Sequence, residues 1–178
     1  MQELGVFVTL AEIAGVFVGF GALIAVRSGG ASDEQEAAYI RTVLSIGVWV
    51  VVASLVPVVL GGYDIGEREV WLVSGLIALV SIVAVWVTNY RTSYVQHVGE
   101  SLSRASMVLE TAGYGLLFFL LLAALIFVVL GLLPDQEPAL YLTALVMGLF
   151  VSALSLLWLV FAHRSTAATS DGAEAPTE

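Results

Sequence analysis

Between Leu4 and Val26 the chain reads LGVFVTLAEIAGVFVGFGALIAV, an apolar run holding one ionisable residue, Glu12. A helix of roughly 20 apolar residues crosses the hydrocarbon core of a bilayer, so this stretch is long enough to span. The carboxyl group is the obstacle to that reading, and its cost can be weighed. A central charge costs about 3 kcal/mol on the insertion scale, whereas each Leu, Ile, Val or Phe returns about 0.3–0.6. The thirteen such residues in the run return roughly 4–8 kcal/mol. The helix still inserts, and Glu12 needs a polar environment within it. The run does not read as a cleavable leader: Glu3 stands where a leader carries positive charge, and the apolar segment is too long.

Four further stretches have spanning length: Thr42–Leu60, Val70–Tyr90, Gly113–Leu133 and Ala139–Ala162. The composition agrees. Of 178 residues 60% are hydrophobic and 12% charged, with a mean hydropathy of +1.00. A soluble domain is roughly 45–50% apolar and about 25% charged. A soluble enzyme domain is therefore excluded, and so is a disordered chain, which needs low hydrophobicity. Cysteine is absent, which removes disulfides, thiolate metal sites and a cysteine nucleophile. The expected fold is an all-α integral membrane protein, with residues 1–164 forming a single transmembrane domain of five helices in contact with the lipid bilayer.

Six basic residues, all arginine, face fifteen acidic ones for a net charge of -9. Nucleic acid, whose phosphates demand basic clusters, is not an expected partner. A polybasic lipid-binding patch is also absent. An acidic chain without lysine fits a salt-adapted microbe or a GC-rich genome, and either source is prokaryotic. The arginines also give an orientation. Arg27, Arg41, Arg91, Arg104 and Arg164 fall on one side of a five-span chain, and Arg68 alone on the other. The positive-inside rule makes the first side cytoplasmic, with the N-terminus outside and the C-terminus inside a prokaryotic cell membrane.

The connections read as helix boundaries. Ser32 followed by Gln35, and Asp64 followed by Glu67, have capping-box spacing. Asp135 before Pro138 opens the fifth helix in the same manner, since proline is tolerated in a first turn. In residues 91–112, Val95, Val98, Leu102, Ala105 and Val108 keep helical spacing, and Glu100 and Arg104 form an i,i+4 pair. That segment is expected to be an amphipathic cytoplasmic helix. Residues 165–178 are expected to be a disordered acidic tail.

Spans two and three resemble spans four and five. Val58-Val59-Leu60-Gly61 recurs as Val128-Val129-Leu130-Gly131, each before a short acidic loop; Trp71 then matches Tyr141, Trp86 falls near Trp158, and Arg91 matches Arg164. Upstream, Thr42 and Gly47 fall close to Thr111 and Gly115. Shared hydrophobicity alone can make two hairpins look alike. If the likeness is a duplication, both hairpins run in–out–in and are parallel repeats about an axis along the membrane normal. Helix 1 is then added to two helical hairpins.

Ionisable residues inside a membrane are candidates for function, and Glu12 is the deep one, roughly 12 Å along the helix from Leu4. Glu12, Gly15 and Gly19 share one helical stripe, and a small-xxx-small spacing lets membrane helices approach closely. The carboxyl is therefore expected to point into a tight helix contact. No arginine is deep enough to pair with it. Ser54 lies at similar depth, and Pro57 leaves the Ala53 carbonyl without its usual donor. Ser74 and Ser81 bracket that level. Glu12, Ser54 and the Ala53 carbonyl would make a hard-oxygen site suited to a proton or small cation; Gly15 and Gly19 would be helix-packing residues. The alternative is a carboxyl that hydrogen-bonds one serine and only joins helices.

Other features point to less. His97 and His163 sit near span ends and read as interfacial residues, not metal or haem ligands, so no cofactor is expected. Trp49, Trp71, Trp86 and Trp158 fit interfacial anchoring and packing. No acid, base and nucleophile are grouped as catalysis requires, so the chain is not expected to be an enzyme.

The string Thr9-Leu10-Ala11-Glu12-Ile13-Ala14-Gly15-Val16-Phe17-Val18-Gly19-Phe20-Gly21 resembles the opening helix of a functionally uncharacterised group of small multi-pass prokaryotic membrane proteins. The likeness covers one helix of five and brings no activity with it. Two functions fit the residues. One is a homo-oligomeric proton- or cation-linked channel, carrier or sensor centred on Glu12; the other is a structural or accessory subunit of a membrane complex.

Overall fold

A computed structural model describes residues 2–27, 34–63, 65–94 and 104–171, with side chains placed for residues 5–27, 37–63, 65–89 and 113–158. Five helices carry the chain: α1 (Gln2–Arg27), α2 (Glu34–Leu60), α3 (Glu67–Tyr94), α4 (Arg104–Leu130) and α5 (Glu137–Asp171). Each contains a stretch long and apolar enough to cross a membrane, from Gly5–Arg27 to Pro134–Trp158. This is an all-α, multi-pass membrane protein.

The boundaries have local causes. α2 ends where Gly61 and Gly62 allow tight turns, with Gly62 N donating to the Val59 carbonyl at 3.1 Å and Tyr63 N to Leu60 at 3.0 Å. The Gly66 carbonyl then accepts from Glu69 N and Val70 N and starts α3. α4 stops differently. Gly131 takes a left-handed φ of 61°, its N–H bonds the Val128 carbonyl, and Leu132 N reaches Phe127 O. That pair of bonds is a Schellman ending, which glycine adopts without a Cβ penalty. A single 3-10 turn, Pro134–Gln136, leads into α5, with Pro138 in the first turn of that helix.

α2, α3, α4 and α5 each pack against the next, and α5 closes back on α2. α1 lies outside this ring, against α2 and one edge of α5. Helix 1 thus packs on the outside of a ring made by the other four helices. The core is built from Trp49, Val50 and Ala53 of α2, Ala78 and Ile82 of α3, Leu121 and Leu125 of α4, and Tyr141 and Leu145 of α5. The outward faces stay apolar: Val16, Phe20, Leu23, Val80 and Phe119 are among many exposed large side chains. In water such a surface is a liability; facing lipid tails it needs no cover.

Two segments differ from the expectations above. The stretch 91–112 is divided, its start belonging to α3 and its end to α4, and residues 95–103 lie outside the described residues. α5 continues to Asp171, so the tail expected from residue 165 is helical through its first half. Ser32 and Asp64, the expected capping residues of α2 and α3, lie outside the described residues.

Candidate functional site

On α1 the inward face is Phe7, Leu10, Ala11, Ala14 and Gly21, at the i, i+3, i+4 spacing of one helix side. Glu12, Gly15 and Gly19 lie on the other side, and all three are exposed. A Cβ built at Gly15 or Gly19 would meet no atom of the described residues within 4 Å. Among the described residues of one protomer the stripe therefore contacts no helix, so a tight contact for the carboxyl would have to come from outside the protomer. The close approaches are made by other glycines. A Cβ would lie 2.6 Å from Val18 at Gly47, 2.8 Å from Trp49 at Gly148, and 2.9 Å from Val43 at Gly21. Beside the Glu12 face runs a shallow groove lined by Gly5, Val6, Thr9, Leu10 and Ile13.

Ala53 and Ser54 sit in the interior instead, on the part of α2 that faces α3 and α5. Pro57 has no N–H, so the Ala53 carbonyl is left over from the helix ladder. The Tyr141 hydroxyl of α5 donates to it at 2.7 Å, and the carbonyl is satisfied without Glu12. Ser54 is fully buried, and its hydroxyl has no hydrogen-bond partner among the described residues; the same is true of Ser74 on α3. The Trp49 indole N–H donates to the Ala78 carbonyl at 3.1 Å and to Ser81 Oγ at 3.0 Å. The three residues foreseen as one oxygen site are thus split. Ala53 and Ser54 lie in the core, and Glu12 lies on the outer surface of α1.

The proline rule showed that the Ala53 carbonyl needed a donor. It could not show which, because Tyr141 is 88 residues away. The equivalence of Trp71 and Tyr141 in the two hairpins was the available sign. Both rings meet Phe7 of α1 in a three-ring cluster, with centroids 5.7 to 5.9 Å apart.

Above this cluster, at the end where α3 and α5 begin, lies a cleft of about 460 Å³. Glu67, Arg68 and Trp71 of α3 line one side, and Pro134, Asp135, Glu137 and Pro138 the other. Glu67 and Glu137 each precede one aromatic ring of the cluster by one turn. Their surroundings differ. Glu67 is exposed, whereas Glu137 is only 3% exposed. A Cβ on Gly131 would lie 2.7 Å from Arg68 Nη2 and 3.5 Å from Glu137 Oε1, so the two groups are within about 6 Å of each other. Among the described residues no hydrogen bond or ion pair engages the Glu137 carboxylate. No three acidic or imidazole groups converge as a metal site needs, again among the described residues. Sequence reasoning missed this cleft because acids in a first helical turn are ordinary complements to the helix dipole.

Trp49 and Trp71 are core residues, while Trp86 and Trp158 are exposed near the opposite end of the bundle. His97 and His163 lie where no side chain is described. No protein-family model, curated protein or solved structure matches the chain.

Proposed function

We propose that the chain works as a homo-oligomer in a prokaryotic cell membrane, its N-terminus outside, with Glu12 at a seam between protomers. There the carboxyl serves as the proton- or cation-binding group of a channel, carrier or sensor. One observation carries this reading: an ionisable side chain stands on the exposed face of a spanning helix, flanked by two glycines with open space above them. Left against lipid, a central charge costs about 3 kcal/mol. A helix docked on the glycines brings backbone close and covers the carboxyl.

A second copy of α1 is the occupant that the geometry favours. In a two-fold arrangement about the membrane normal, each stripe meets its own equivalent. Both Glu12 residues then lie at one depth. A facing pair of carboxyl groups is a site for a shared proton or a small cation. Ser54 and Ala53 are not ligands in this arrangement, because the core has already enclosed them.

The test is Glu12→Gln in reconstituted vesicles, read beside an assembly assay. The substitution keeps volume and hydrogen-bonding capacity and removes the titratable charge. Proton or cation movement should lose its pH or cation dependence while assembly stays at the wild-type level. Unchanged movement with unchanged assembly would leave the accessory-subunit reading in its place.

A further inference from the structure

We infer that the cleft between the starts of α3 and α5 is a second binding site, distinct from Glu12, for a small organic ammonium ion. The argument begins with Glu137. A residue only 3% exposed that lines the cleft, with no hydrogen bond or ion pair to its carboxylate among the described residues, has that carboxylate open to the cleft and held by no protein donor. Arg68 comes within about 6 Å, yet its single positive charge faces three carboxylates, those of Glu67, Asp135 and Glu137. The cleft keeps an excess of negative charge and attracts cations.

The chemistry of the walls narrows the cation. A metal ion needs several oxygen ligands converging on one point, and no such group of acids forms among the described residues. An ammonium ion needs less: one carboxylate for charge and an aromatic face for its substituents. Trp71 supplies an aromatic ring to the cleft lining, held in place by Phe7 at 5.7 Å and Tyr141 at 5.9 Å. Pro134 and Pro138 add rigid apolar walls. A volume of about 460 Å³ falls within the range of small-molecule pockets. Buried acid, fixed aromatic ring and apolar sides together favour an alkylated ammonium over a hydrated metal ion.

The probe is tetramethylammonium, followed by saturation-transfer NMR of its methyl protons on the full chain in a sugar-headed detergent. Binding should saturate, a neutral analogue of similar bulk such as neopentyl alcohol should give no transfer, and calcium at equal ionic strength should compete no better than sodium. Glu137→Gln should weaken binding at least tenfold and Trp71→Phe several-fold, while the exposed Glu67→Gln changes it less than threefold. A thermal melt of each variant separates lost binding from lost fold. If wild type gives no saturable transfer, or if folded Glu137→Gln binds as wild type does, the inference fails. Displacement by calcium at low concentration would also overturn it, because it would make the cleft a general acidic patch. Glu12→Gln should leave this binding unchanged, so failure here is distinguishable from failure of the seam proposal.

Discussion

Glu12 and Glu137 occupy opposite settings, each the reverse of what its position in the chain would dictate. Glu12 lies within a spanning helix, where a carboxyl should be enclosed, and it is exposed. Glu137 lies at a helix start beside the aqueous end, where a carboxyl should be free, and it is almost fully buried. The contrast separates two kinds of surface. Around Glu137 the fold has already built walls, with Trp71, two prolines and the Gly131 turn in place. Around Glu12 the fold has left space, and something outside the protomer must supply the walls. A core glycine and a surface glycine should accordingly answer to substitution in different assays.

The largest effect is expected from leucine at Gly148. A Cβ there lies 2.8 Å from the Trp49 ring and 3.1 Å from Val50, and overpacking of this kind costs typically 1–3 kcal/mol, occasionally more. Gly148→Leu should lower the thermal midpoint of the purified chain sharply. Gly15→Leu, built into open space, should change folding stability by no more than about 0.5 kcal/mol and weaken self-association instead. A loss of monomer stability at Gly15 equal to that at Gly148 would erase the distinction between the two faces.

A smaller change is expected at the interior hydrogen bond. Tyr141→Phe keeps the ring in its cluster but leaves the buried Ala53 carbonyl without a donor, because Pro57 cannot provide one. An unsatisfied buried group costs about 1–3 kcal/mol, measurable by unfolding in mixed micelles. Self-association should be unaltered. If Tyr141→Phe were neutral, the carbonyl would have another donor and the account of the Pro57 region would need revision.

The smallest effect concerns the unpartnered hydroxyls. Ser54→Ala and Ser74→Ala each remove a buried oxygen that forms no hydrogen bond, so neither should cost more than about 0.5 kcal/mol, and either could stabilise. Ser152→Ala, which removes a bond to the Val43 carbonyl, should cost more than either. The reverse ranking would mean that the Ser54 and Ser74 hydroxyls each engage a partner.

How much of this was legible follows from what a membrane does to sequence patterns. The five spans were readable because length and apolarity alone decide them, and Thr42–Leu60 or Val70–Tyr90 fall within α2 and α3. Which side of each helix faces inward was not readable. A helix apolar all round carries no stripe to mark its buried face, so the packing inside the protomer by Gly47 and Gly148 drew no reading, while Gly15 and Gly19 stand on the outer face. Pro57 announced an orphaned carbonyl by local chemistry, but its donor comes from a helix far along the chain. Glu137 resembled any acid in a first turn. Its burial depends on the left-handed Gly131 and on where Arg68 lies, neither of which leaves a pattern in the sequence.

The seam proposal is tested most directly by cross-linking in the native bilayer, for which a chain without cysteine is a ready background. Val16 lies one turn beyond Glu12 on the same face and is 57% exposed; Phe119 of α4 is 67% exposed on a face with no carboxyl. Single substitutions Val16→Cys and Phe119→Cys, oxidised in membranes at low protein-to-lipid ratio, compare the two surfaces. The account predicts a covalent dimer from Val16→Cys and little or none from Phe119→Cys. A Val16→Cys protein that stays monomeric under oxidation, or that cross-links no faster than Phe119→Cys, would contradict it.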